Sequence, residues 1–447
     1  MARCCPPSPA GHGSRARRHC SSIPAIPSPT ASGRRLERDR HRHRRRRHHR
    51  RGLRARAQAR GLSCVLIDAE EPGHGASFGN AGIIATEQLD PLAAPGSWRE
   101  VPDLLLGRGP ASMRWRDLPT VLPWSLAFLR ASRPGPFARH RVALHQFQAG
   151  TADAWRALAA QVPEVGRLTH FVGHDEVFET EPARLAAQAG LLRQREDGVN
   201  WRDLDDAELE AIRRLAPRAH SGVHFADTGM VDLPLGIVQA LVRDFLRRGG
   251  RQLRARIERI EARPQHFDMH TRAAVIPANR VLISAGARSA PLLRRLGLPA
   301  PLIAERGYHF SFSRPLPGMD RPLALRERAV VMTPMQFGFR STSFVEFAAP
   351  GSQPSPAKWR RLQYHLQEAG IWQPGDAPDA WMGERPTLPD YLPGMGESRQ
   401  HPGLYYALGH QHLGLTLSAP TAQAMADLIT SGKRASFLDA LDLMRFR

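Results

Sequence analysis

A chain of 447 residues is too long for one small core, so it predicts two or three domains or one large two-layer enzyme. The hydrophobic fraction of 42% is ordinary for a globular protein, and no stretch approaches the roughly 20 consecutive apolar residues of a membrane span. The net charge is +21, but residues 1–60 carry +16 of it, so the other 387 residues carry only +5 and do not indicate a specific nucleic-acid-binding protein.

Four cysteines are present, and they form neither a disulfide framework nor a zinc-binding spacing. The N-terminus contains Pro, Ser and Arg but no apolar stretch like that of a secretory signal. Both features favour a reducing, cytoplasmic compartment.

Residues 1–54 are a basic segment in which 44–51 consist of Arg and His alone. One interpretation is a disordered tail that binds polyanions or acts as a localisation signal. The interpretation we favour is a translated frameshift, because only Lys358 and Lys433 are lysines whereas the other 61 of the 63 basic residues are Arg, which indicates a GC-rich gene.

A shift of one nucleotide turns Arg codons into Gly, Ala or Val codons and His codons into Thr or Ile codons. Residues 41–51 can then be reread as Thr-Val-Ile-Val-Gly-Ala-Gly-Ile-Ile-Gly-Ala, an apolar strand that runs into a G-x-G-x-x-G turn. The three glycines fall at Arg45, Arg47 and Arg50, and in-frame coding resumes near Arg54, ahead of a short helix.

The first element of the readable chain is a buried strand, Ser63–Asp68, which follows the helix stop Gly61. Asp68 lies about 20 residues after the reread glycine turn, where dinucleotide-binding folds place a carboxylate for the ribose hydroxyls. The loop Gly73–Gly82 is rich in glycine and small residues, so its backbone can approach a ligand closely, although an ordinary surface loop is the alternative.

Residues Ala93–Leu192 are predicted to be mainly helical, and Leu233–Arg248 is predicted to be a helix that ends at a pair of glycines. Gln252–Ala262 alternates apolar and polar residues like one strand. Val275–Ile283 predicts a further strand, which runs into the small-residue turn Ser284–Ser289 and then a helix.

In the last third, Gly338–Phe347 predicts a strand, and Leu404–Leu408 predicts another that meets a glycine-rich turn and the helix Ala419–Ile429. A strand, a glycine-rich turn and a helix N-terminus together form a site for an anion or a carbonyl group. His410 and His412 lie in this turn, but no third ligand has a useful spacing, so we expect no metal.

Five motifs occur in the order found in the FAD-dependent D-amino acid oxidase superfamily, which the chain resembles from about Gly61 to Lys433. Within that superfamily it looks most like the bacterial D-amino acid dehydrogenase branch, which includes dehydrogenases of D-hydroxyproline. The motifs are the flavin loop Ala76–Gly82, the second dinucleotide turn Ile283–Ala287, the strand start Arg306–Tyr308, R-P-x-x-P-D at Arg385–Asp390 and G-H-x-x-L-G at Gly409–Gly414. The departure is the first G-x-G-x-x-G, which does not occur in this chain.

The resemblance implies an α/β fold in which a Rossmann-like FAD-binding domain is interleaved with an α+β substrate domain built on an antiparallel sheet. Residues 55–92, 220–300 and 383–435 are then expected to form the FAD-binding domain. Residues 93–219 and 301–382 are expected to form the substrate domain.

The resemblance also implies which residues contact FAD. Asp68 is expected to hold the adenosine ribose, and the backbone near Ile257 is expected to flank the adenine. The remaining expected contacts lie on the pyrophosphate and isoalloxazine side, at the second turn and at the pyrimidine edge: Ser77, Asn80, Ala81, Gly82, Ala285, Gly286, Gly409, His410, Leu413, Gly414 and Thr416.

For the substrate carboxylate, Arg385 with Tyr308 is the first choice and Arg340 the second, because a guanidinium pairs with a carboxylate through two hydrogen bonds. His410 is expected to tune local protonation. The reaction implied is hydride transfer from a small D-amino or imino acid, D-proline-like, D-hydroxyproline-like or D-alanine-like, with a quinone or oxygen as electron acceptor.

The expected location is the cytoplasm, with peripheral association with the inner membrane as a variant. Two alternatives remain. One is an inactive relative, because the glycine loop that normally receives the pyrophosphate is missing, and the other is a polyanion-binding protein that acts through its Arg- and His-rich N-terminus.

Overall fold

The computed structural model describes residues 62–107 and 109–447. The predicted basic segment 1–54, the helix expected after Arg54 and the polyanion-binding alternative all lie outside the described residues.

The twenty strands of the described residues fall into five sheets. In chain order they are β1 (Val65–Asp68), β2 (Ile83–Ile84), β3 (Ala111–Met113), β4 (Thr169–His170), β5 (His174–Phe178), β6 (Trp201–Asp203), β7 (Ser221–Phe225), β8 (Gly229–Val231), β9 (Arg251–Arg254), β10 (Arg259–Ala262), β11 (Phe267–His270), β12 (Val275–Ala278), β13 (Val281–Ile283), β14 (Ile303–Phe312), β15 (Leu323–Leu325), β16 (Val330–Met335), β17 (Gly338–Ala348), β18 (Asp379–Thr387), β19 (Gly394–Glu397) and β20 (Leu404–Leu408).

The α-helices of the described residues are α1 (Val101–Leu106), α2 (Leu118–Ala131), α3 (Pro134–Gln148), α4 (Thr151–Gln161), α5 (Pro163–Arg167), α6 (Glu181–Glu196), α7 (Asp206–Arg213), α8 (Pro234–Arg247), α9 (Ser289–Arg295), α10 (Pro356–Glu368) and α11 (Ser418–Ser431). Short 3₁₀ helices cover Ser97–Glu100, Trp115–Asp117, Gly286–Arg288, Gln411–Leu413, Ser436–Asp439 and Leu443–Phe446. None of these described helices combines the length and the apolar character that crossing a membrane requires.

Local sequence explains where the principal helices begin and end. Pro234 opens α8 at a position where its missing N–H costs nothing, and Ile237, Ala240 and Phe245 form its buried face. Helix α11 ends at Gly432, which has a left-handed backbone with φ 68° and satisfies the last helical carbonyls.

Two small sheets carry the parallel strands expected of the nucleotide-binding part. In the first parallel pair, β1 lies beside β9, with Val65 opposite Arg251 and Asp68 opposite Arg254. In the second, which we call the C-terminal sheet, β13 is parallel to β20 and β19 is antiparallel to β20.

The large sheet has nine strands in the order β18-β14-β17-β16-β15-β5-β7-β6, with β3 beside β17. Most of its pairs are antiparallel, as predicted for the substrate layer, and the β15–β5 and β17–β3 pairs are parallel. Helices α7 and α10 cover its core through Leu209, Ile212, Leu362 and Leu366. The predicted α/β fold class, with an antiparallel sheet as one layer, is confirmed.

The predicted domain limits remain a proposal. Strand β7 and all of β18 belong to the large sheet, so the expected boundaries at 220 and 383 fall inside that sheet. A division after β7 and after β18 fits the strand pairing better.

Two predicted single strands are each broken in two. Gln252–Ala262 divides into β9 and β10, because the Ala255 N–H closes the parallel pair on Asp68 O at 2.8 Å whereas the Glu258 N–H bonds His270 O in another sheet at 2.8 Å. Val275–Ile283 divides in the same way into β12, which pairs with β11, and β13, which pairs with β20. The other predicted strands and helices are confirmed to within a few residues. The prediction that the first strand is buried is wrong, because Val65 is exposed and the other residues of β1 are half-buried.

Candidate active site

One continuous cavity of about 3820 Å³ runs between the two parallel sheets and the large sheet. Among the predicted site residues, its wall includes Asp68, Ser77, Asn80, Ala81, Ile257, Ala285, Gly286, Arg385, His410 and Gly414. The segments around Asn80, Gly286 and Gly414 therefore face the same space although they lie far apart in the chain. Gly82, Gly409, Leu413, Thr416, Tyr308 and Arg340 do not line it.

The alternation of strand β14 decides which side chains reach this cavity. Gly307 and His309 line it, whereas Arg306 and Tyr308 point to the opposite face and are completely buried. The Tyr308 hydroxyl donates to Glu346 Oε2 at 2.6 Å and accepts from the Ser355 N–H at 3.0 Å. Burial and Glu346 raise the pKa of Tyr308 to about 12, so this tyrosine is a neutral interior group.

Arg385 lies on strand β18 directly opposite Glu305 of β14. Its Nη1 donates to Glu305 Oε1 at 3.3 Å, and Thr387 Oγ1 donates to Glu305 Oε2 at 3.0 Å. Glu305 is 1% exposed and the Arg385 side chain is 24% exposed. The carboxylate therefore fixes one side of the guanidinium while its other side remains accessible from the cavity.

His309 and Trp381 form an aromatic wall beside Arg385. They are cross-strand partners, and their rings stack with centroids 5.0 Å apart. Burial lowers the pKa of His309 to about 3, and the nearby Arg340 and Arg385 charges act in the same direction. His309 is therefore neutral at physiological pH and adds no charge to the site.

The loop Gly73–Gly82 is held by Arg340 from strand β17. Arg340 Nη1 donates to Phe78 O at 3.2 Å and Asn80 O at 2.7 Å, and its Nε donates to Ser311 Oγ at 3.3 Å. Burial lowers the pKa of Arg340 to about 10. The structure thus places this second-choice carboxylate ligand behind the loop, where it is 4% exposed.

Two glycines let this loop pass close to its neighbours. A Cβ at Gly79 would lie 2.0 Å from the Trp381 ring. Gly82 has a left-handed backbone with φ 77°, and its Cβ would lie 2.5 Å from Val231 O. Asn80 completes the turn, because its Oδ1 accepts the Gly82 N–H at 2.8 Å.

We expect Arg340→Met to weaken FAD binding by about tenfold, because the loop would lose charge-assisted hydrogen bonds to two carbonyl oxygens. Titration of the protein with FAD, followed by flavin fluorescence, measures the change. Arg340→Lys should recover part of the loss. The matched control is Arg272→Met, since the Arg272 side chain is 90% exposed and should leave affinity unchanged. An Arg340→Met protein with unaltered FAD affinity would contradict this role.

The C-terminal turn contributes His410, Gln411 and His412 to the cavity wall. His410 Nε2 lies 2.9 Å from Thr421 Oγ1, and burial lowers the pKa of both His410 and His412 to about 4. Gln411 Oε1 and His412 Nδ1 are buried and have no hydrogen-bond partner among the described residues. They are free to bond a polar ligand in the cavity.

These contacts allow the fit of an FAD molecule to be tested. Gly286, in the second turn, has φ 58°, and no atom lies within 4 Å of the position of a Cβ, so a ligand can approach its backbone. Asp68 lines the opposite end, half-buried at the end of β1. The Asp68 carboxylate fits the ribose of the cofactor, and the open turn at Gly286 fits its middle. The unpaired buried atoms of Gln411 and His412 fit its polar ring edge.

Sequence reasoning missed Glu305, His309, Trp381, Gln411 and His412. Gln411 and His412 lie inside a motif that was recognised, so the signal was present. Glu305, His309 and Trp381 were missed because cross-strand pairing, which cannot be read from the sequence, brings them to Arg385.

A buried acid, Glu87, also lines this cavity and lies three residues after strand β2. It is 6% exposed and accepts a hydrogen bond from Thr228 Oγ1 at 2.9 Å. Burial raises its pKa from 4.5 to about 7 despite that bond. The folded protein therefore holds a proton on Glu87 at pH values where the unfolded chain has lost it.

We expect the contribution of Glu87 to the stability of the folded state to fall as the pH rises from about 4.5 to 7, by at most about 3 kcal/mol. Over that range the folded state binds the extra proton, so raising the pH favours unfolding. Glu87→Gln should remove the loss and gain stability over the parent protein at pH 8 but not at pH 4. Urea midpoints of both proteins at the two pH values measure this. Equal midpoints at pH 8 would contradict the raised pKa.

Comparisons with known proteins agree with this geometry. The profile of the DAO family, described as FAD dependent oxidoreductase, matches residues 53–428. A D-amino-acid oxidase from Bradyrhizobium diazoefficiens is 31% identical over 396 residues, which cover 85% of this chain and 91% of that protein. A D-amino acid dehydrogenase from Dechloromonas aromatica is 25% identical over 397 residues, with 81% and 89% covered.

Among solved structures, glycine oxidase from Geobacillus kaustophilus has a TM-score of 0.66 and 20% identity, covering 88% of this chain and 96% of that one.

Proposed function

The chain belongs to the DAO family of FAD-dependent oxidoreductases, and from this premise we propose that it oxidises a small D-amino or D-imino acid. The substrate α-carbon loses a hydride and its nitrogen loses a proton, which gives an imine. A primary imine then hydrolyses to a 2-oxo acid and ammonia, whereas a proline-like substrate gives a cyclic imine.

One observation carries this proposal: the accessible guanidinium of Arg385 lines the same cavity as Asp68, Asn80, Gly286 and Gly414. The Arg385 guanidinium can bind a carboxylate. The other four residues are of the types that bind a dinucleotide. A substrate held by Arg385 therefore lies in the space that these residues enclose.

FAD, when bound, supplies the two-electron acceptor that amino acid oxidation needs. Asp68 would hold its ribose, the loop at Ser77–Ala81 and the turn at Gly286 would lie along its length, and Gln411 and His412 would bond its polar ring edge. These assignments use the accessible or unpaired atoms described above.

The residues around Arg385 orient the substrate. Glu305 and Thr387 fix the guanidinium, so that it can pair with the substrate carboxylate without losing much conformational freedom. His309 and Trp381 pack beside it and limit the access of water. Since His309, His410 and His412 are neutral at pH 7, the charge of the site comes mainly from Arg385 and Glu305.

The names of the relatives guide the choice of substrate and electron acceptor. One relative is named an oxidase and another a dehydrogenase, so we propose oxygen and a quinone as the two electron acceptors to test. We propose D-alanine, D-proline and D-hydroxyproline as the first substrates to test, because a wall made by His309 and Trp381 suits a small or cyclic side chain.

Anaerobic mixing with each D-amino acid tests the proposal. The flavin absorbance of the loaded protein should bleach with at least one D-amino or D-imino acid, more slowly with the L-enantiomer, and a 2-oxo acid or cyclic imine should form. Oxygen uptake and reduction of a soluble quinone then distinguish the acceptors. Loaded protein that is bleached by none of these acids would refute the proposal.

A further inference from the structure

Two glycines face each other in the middle of the β14–β18 strand pair that carries the candidate substrate site. Gly307 of β14 lies directly opposite Gly383 of β18, and both line the cavity. Because alternate residues of a strand share a face, the cross-strand pairs on either side of these glycines point to the same side of the sheet. They are Arg385 with Glu305 and Trp381 with His309. A row without side chains therefore separates the arginine of the site from its aromatic wall.

The backbone conformation does not explain why glycine occupies these two positions. Neither Gly307 nor Gly383 has a φ in the left-handed region, so alanine could adopt both conformations. Glycine inside a strand is less stable than alanine, because it loses more conformational freedom on folding and packs no side chain. A facing pair of glycines therefore weakens the sheet, and its cause lies in the space above the strands.

The Arg385 guanidinium fills the space above Gly307. A Cβ built on Gly307 would lie 2.4 Å from Arg385 Nη2, 2.7 Å from Cζ and 3.1 Å from Nη1, whereas ordinary contacts of a Cβ begin at 3.4 Å. The guanidinium thus lies against the bare backbone of β14. In that position its Nη1 also donates to the buried Glu305 carboxylate at 3.3 Å.

The Trp381 ring fills the space above Gly383 in the same way. A Cβ on Gly383 would lie 2.2 Å from Trp381 Cη2 and 2.4 Å from Cζ3. The same ring lies against Gly79 of the loop Gly73–Gly82, where a Cβ would be 2.0 Å from Cε3. Trp381 is therefore held between two glycines, one in the large sheet and one in the loop that faces the cofactor.

We infer that Gly307 and Gly383 are positioning residues of the substrate site: Gly307 sets the depth at which the Arg385 guanidinium receives a carboxylate, and Gly383 sets the position of the Trp381 ring beside it. An alanine at position 307 would push Arg385 Nη2 about 1 Å into the cavity to reach an ordinary contact distance. A displacement of this size is enough to weaken carboxylate binding and to misalign the substrate α-carbon. This inference rests on the proposed function, in which Arg385 binds the substrate carboxylate.

Calorimetric titration of the FAD-loaded full chain tests the role of Gly307. The ligands are benzoate, which carries a carboxylate on a planar ring, and benzamide, which has nearly the same shape but no charge. Gly307→Ala should raise the Kd of benzoate about tenfold and that of benzamide less than about twofold, because only the carboxylate pairs with the displaced guanidinium. The affinity for FAD should stay unchanged.

The Gly307→Ala variant is expected to fold, because the atoms that must move are the end of a flexible side chain. Circular dichroism and the urea midpoint check this. The matched control is Gly135→Ala at the start of α3, where a Cβ would lie 3.9 Å from Arg139 Nη1 and displace nothing. It should change neither the Kd of benzoate nor that of benzamide.

Gly383→Ala separates the second half of the inference from the first. It displaces Trp381, which also lies against Gly79, so the affinity for FAD should fall about threefold in addition to the affinity for benzoate. Flavin fluorescence measures the FAD affinity. If Gly383→Ala leaves both affinities unchanged, Gly383 does not position Trp381.

A double-mutant cycle tests whether Gly307 acts through the guanidinium. In the Arg385→Leu, Glu305→Gln background no guanidinium remains to be displaced, so adding Gly307→Ala should lower kcat/KM for a D-amino acid less than about twofold. In the parent protein the same substitution should lower kcat/KM about tenfold or more. Equal losses in the two backgrounds would show that Gly307 acts by another route and would overturn the inference.

The outcomes distinguish this inference from the proposed function. If Arg385→Leu weakens benzoate binding but Gly307→Ala does not, or if Gly307→Ala weakens benzoate and benzamide equally, the inference alone is wrong. If Arg385→Leu leaves benzoate binding unchanged, both the carboxylate site and the inference are refuted. If benzoate behaves as expected but no D-amino acid bleaches the flavin, the inference stands and the proposed substrate class is refuted.

Discussion

Replacing Arg385 by leucine in flavin-loaded protein is expected to lower kcat/KM for a D-amino acid about 100-fold, mostly through a higher KM. The variant loses the charge-assisted pairing with the substrate carboxylate, worth about 2.7 kcal/mol for such a factor. Steady-state kinetics with the amino acid and with the corresponding amine, which lacks the carboxylate, measures the effect. The rate with the amine should be equally low in both proteins.

A stability effect must be separated from this loss of binding. Glu305 is 1% exposed, so removing Arg385 leaves a buried carboxylate without its cation, which costs about 3–5 kcal/mol. The double variant Arg385→Leu with Glu305→Gln should recover most of that stability and none of the activity. Arg385→Lys retains the charge but not the paired geometry and should be intermediate. If Arg385→Leu leaves KM unchanged, another residue binds the carboxylate.

Replacing Arg306 by methionine is expected to destabilise the protein by about 3–5 kcal/mol, as much as the removal of Arg385. Arg306 is 0% exposed and lies opposite Glu346 across the β14–β17 pair, with Nη1 and the carboxylate 3.3 Å apart. Without the guanidinium, the buried Glu346 would keep the hydrogen bond from the Tyr308 hydroxyl but lose the cation with which it is paired.

Urea unfolding, followed by circular dichroism, measures this loss. Adding Glu346→Gln to Arg306→Met should restore more than half of it, because the uncompensated charge disappears. Tyr308→Phe is the milder comparison, since it removes the two hydrogen bonds of the hydroxyl and costs about 2 kcal/mol. A single Arg306→Met variant as stable as the parent protein would show that the ion pair contributes nothing net.

The sequence was sufficient where a local pattern decides the structure. The strand that ends at Asp68, the helix that starts at Pro234 and the turn that begins at Gly409 were all found, since apolar runs, proline and glycine act within a few residues. The five family motifs also predict the cofactor, and each of them contributes at least one residue to the wall of the cavity.

The sequence does not predict the position of a side chain that depends on contacts between distant segments of the chain. The sequence predicts Tyr308 at the substrate site, yet alternation along β14 sends Arg306 and Tyr308 to one face and Gly307 to the other. Arg340 was expected to meet the substrate, but its partners are the carbonyl oxygens of Phe78 and Asn80, about 260 positions earlier in the chain. The positions of Tyr308 and Arg340 both depend on how the strands pair, which a short stretch of sequence does not reveal.

The hydrogen bonds from Arg340 to the carbonyl oxygens of Phe78 and Asn80 have a consequence for protein engineering. They tie a residue of the large sheet to the peptide that faces the cofactor, so the two layers are not independent modules. A chimera that takes residues 73–82 from one relative and β17 from another must keep the arginine and the loop carbonyl geometry together. Recombination breakpoints placed between them should give poorly loaded enzymes even when each parent is fully active.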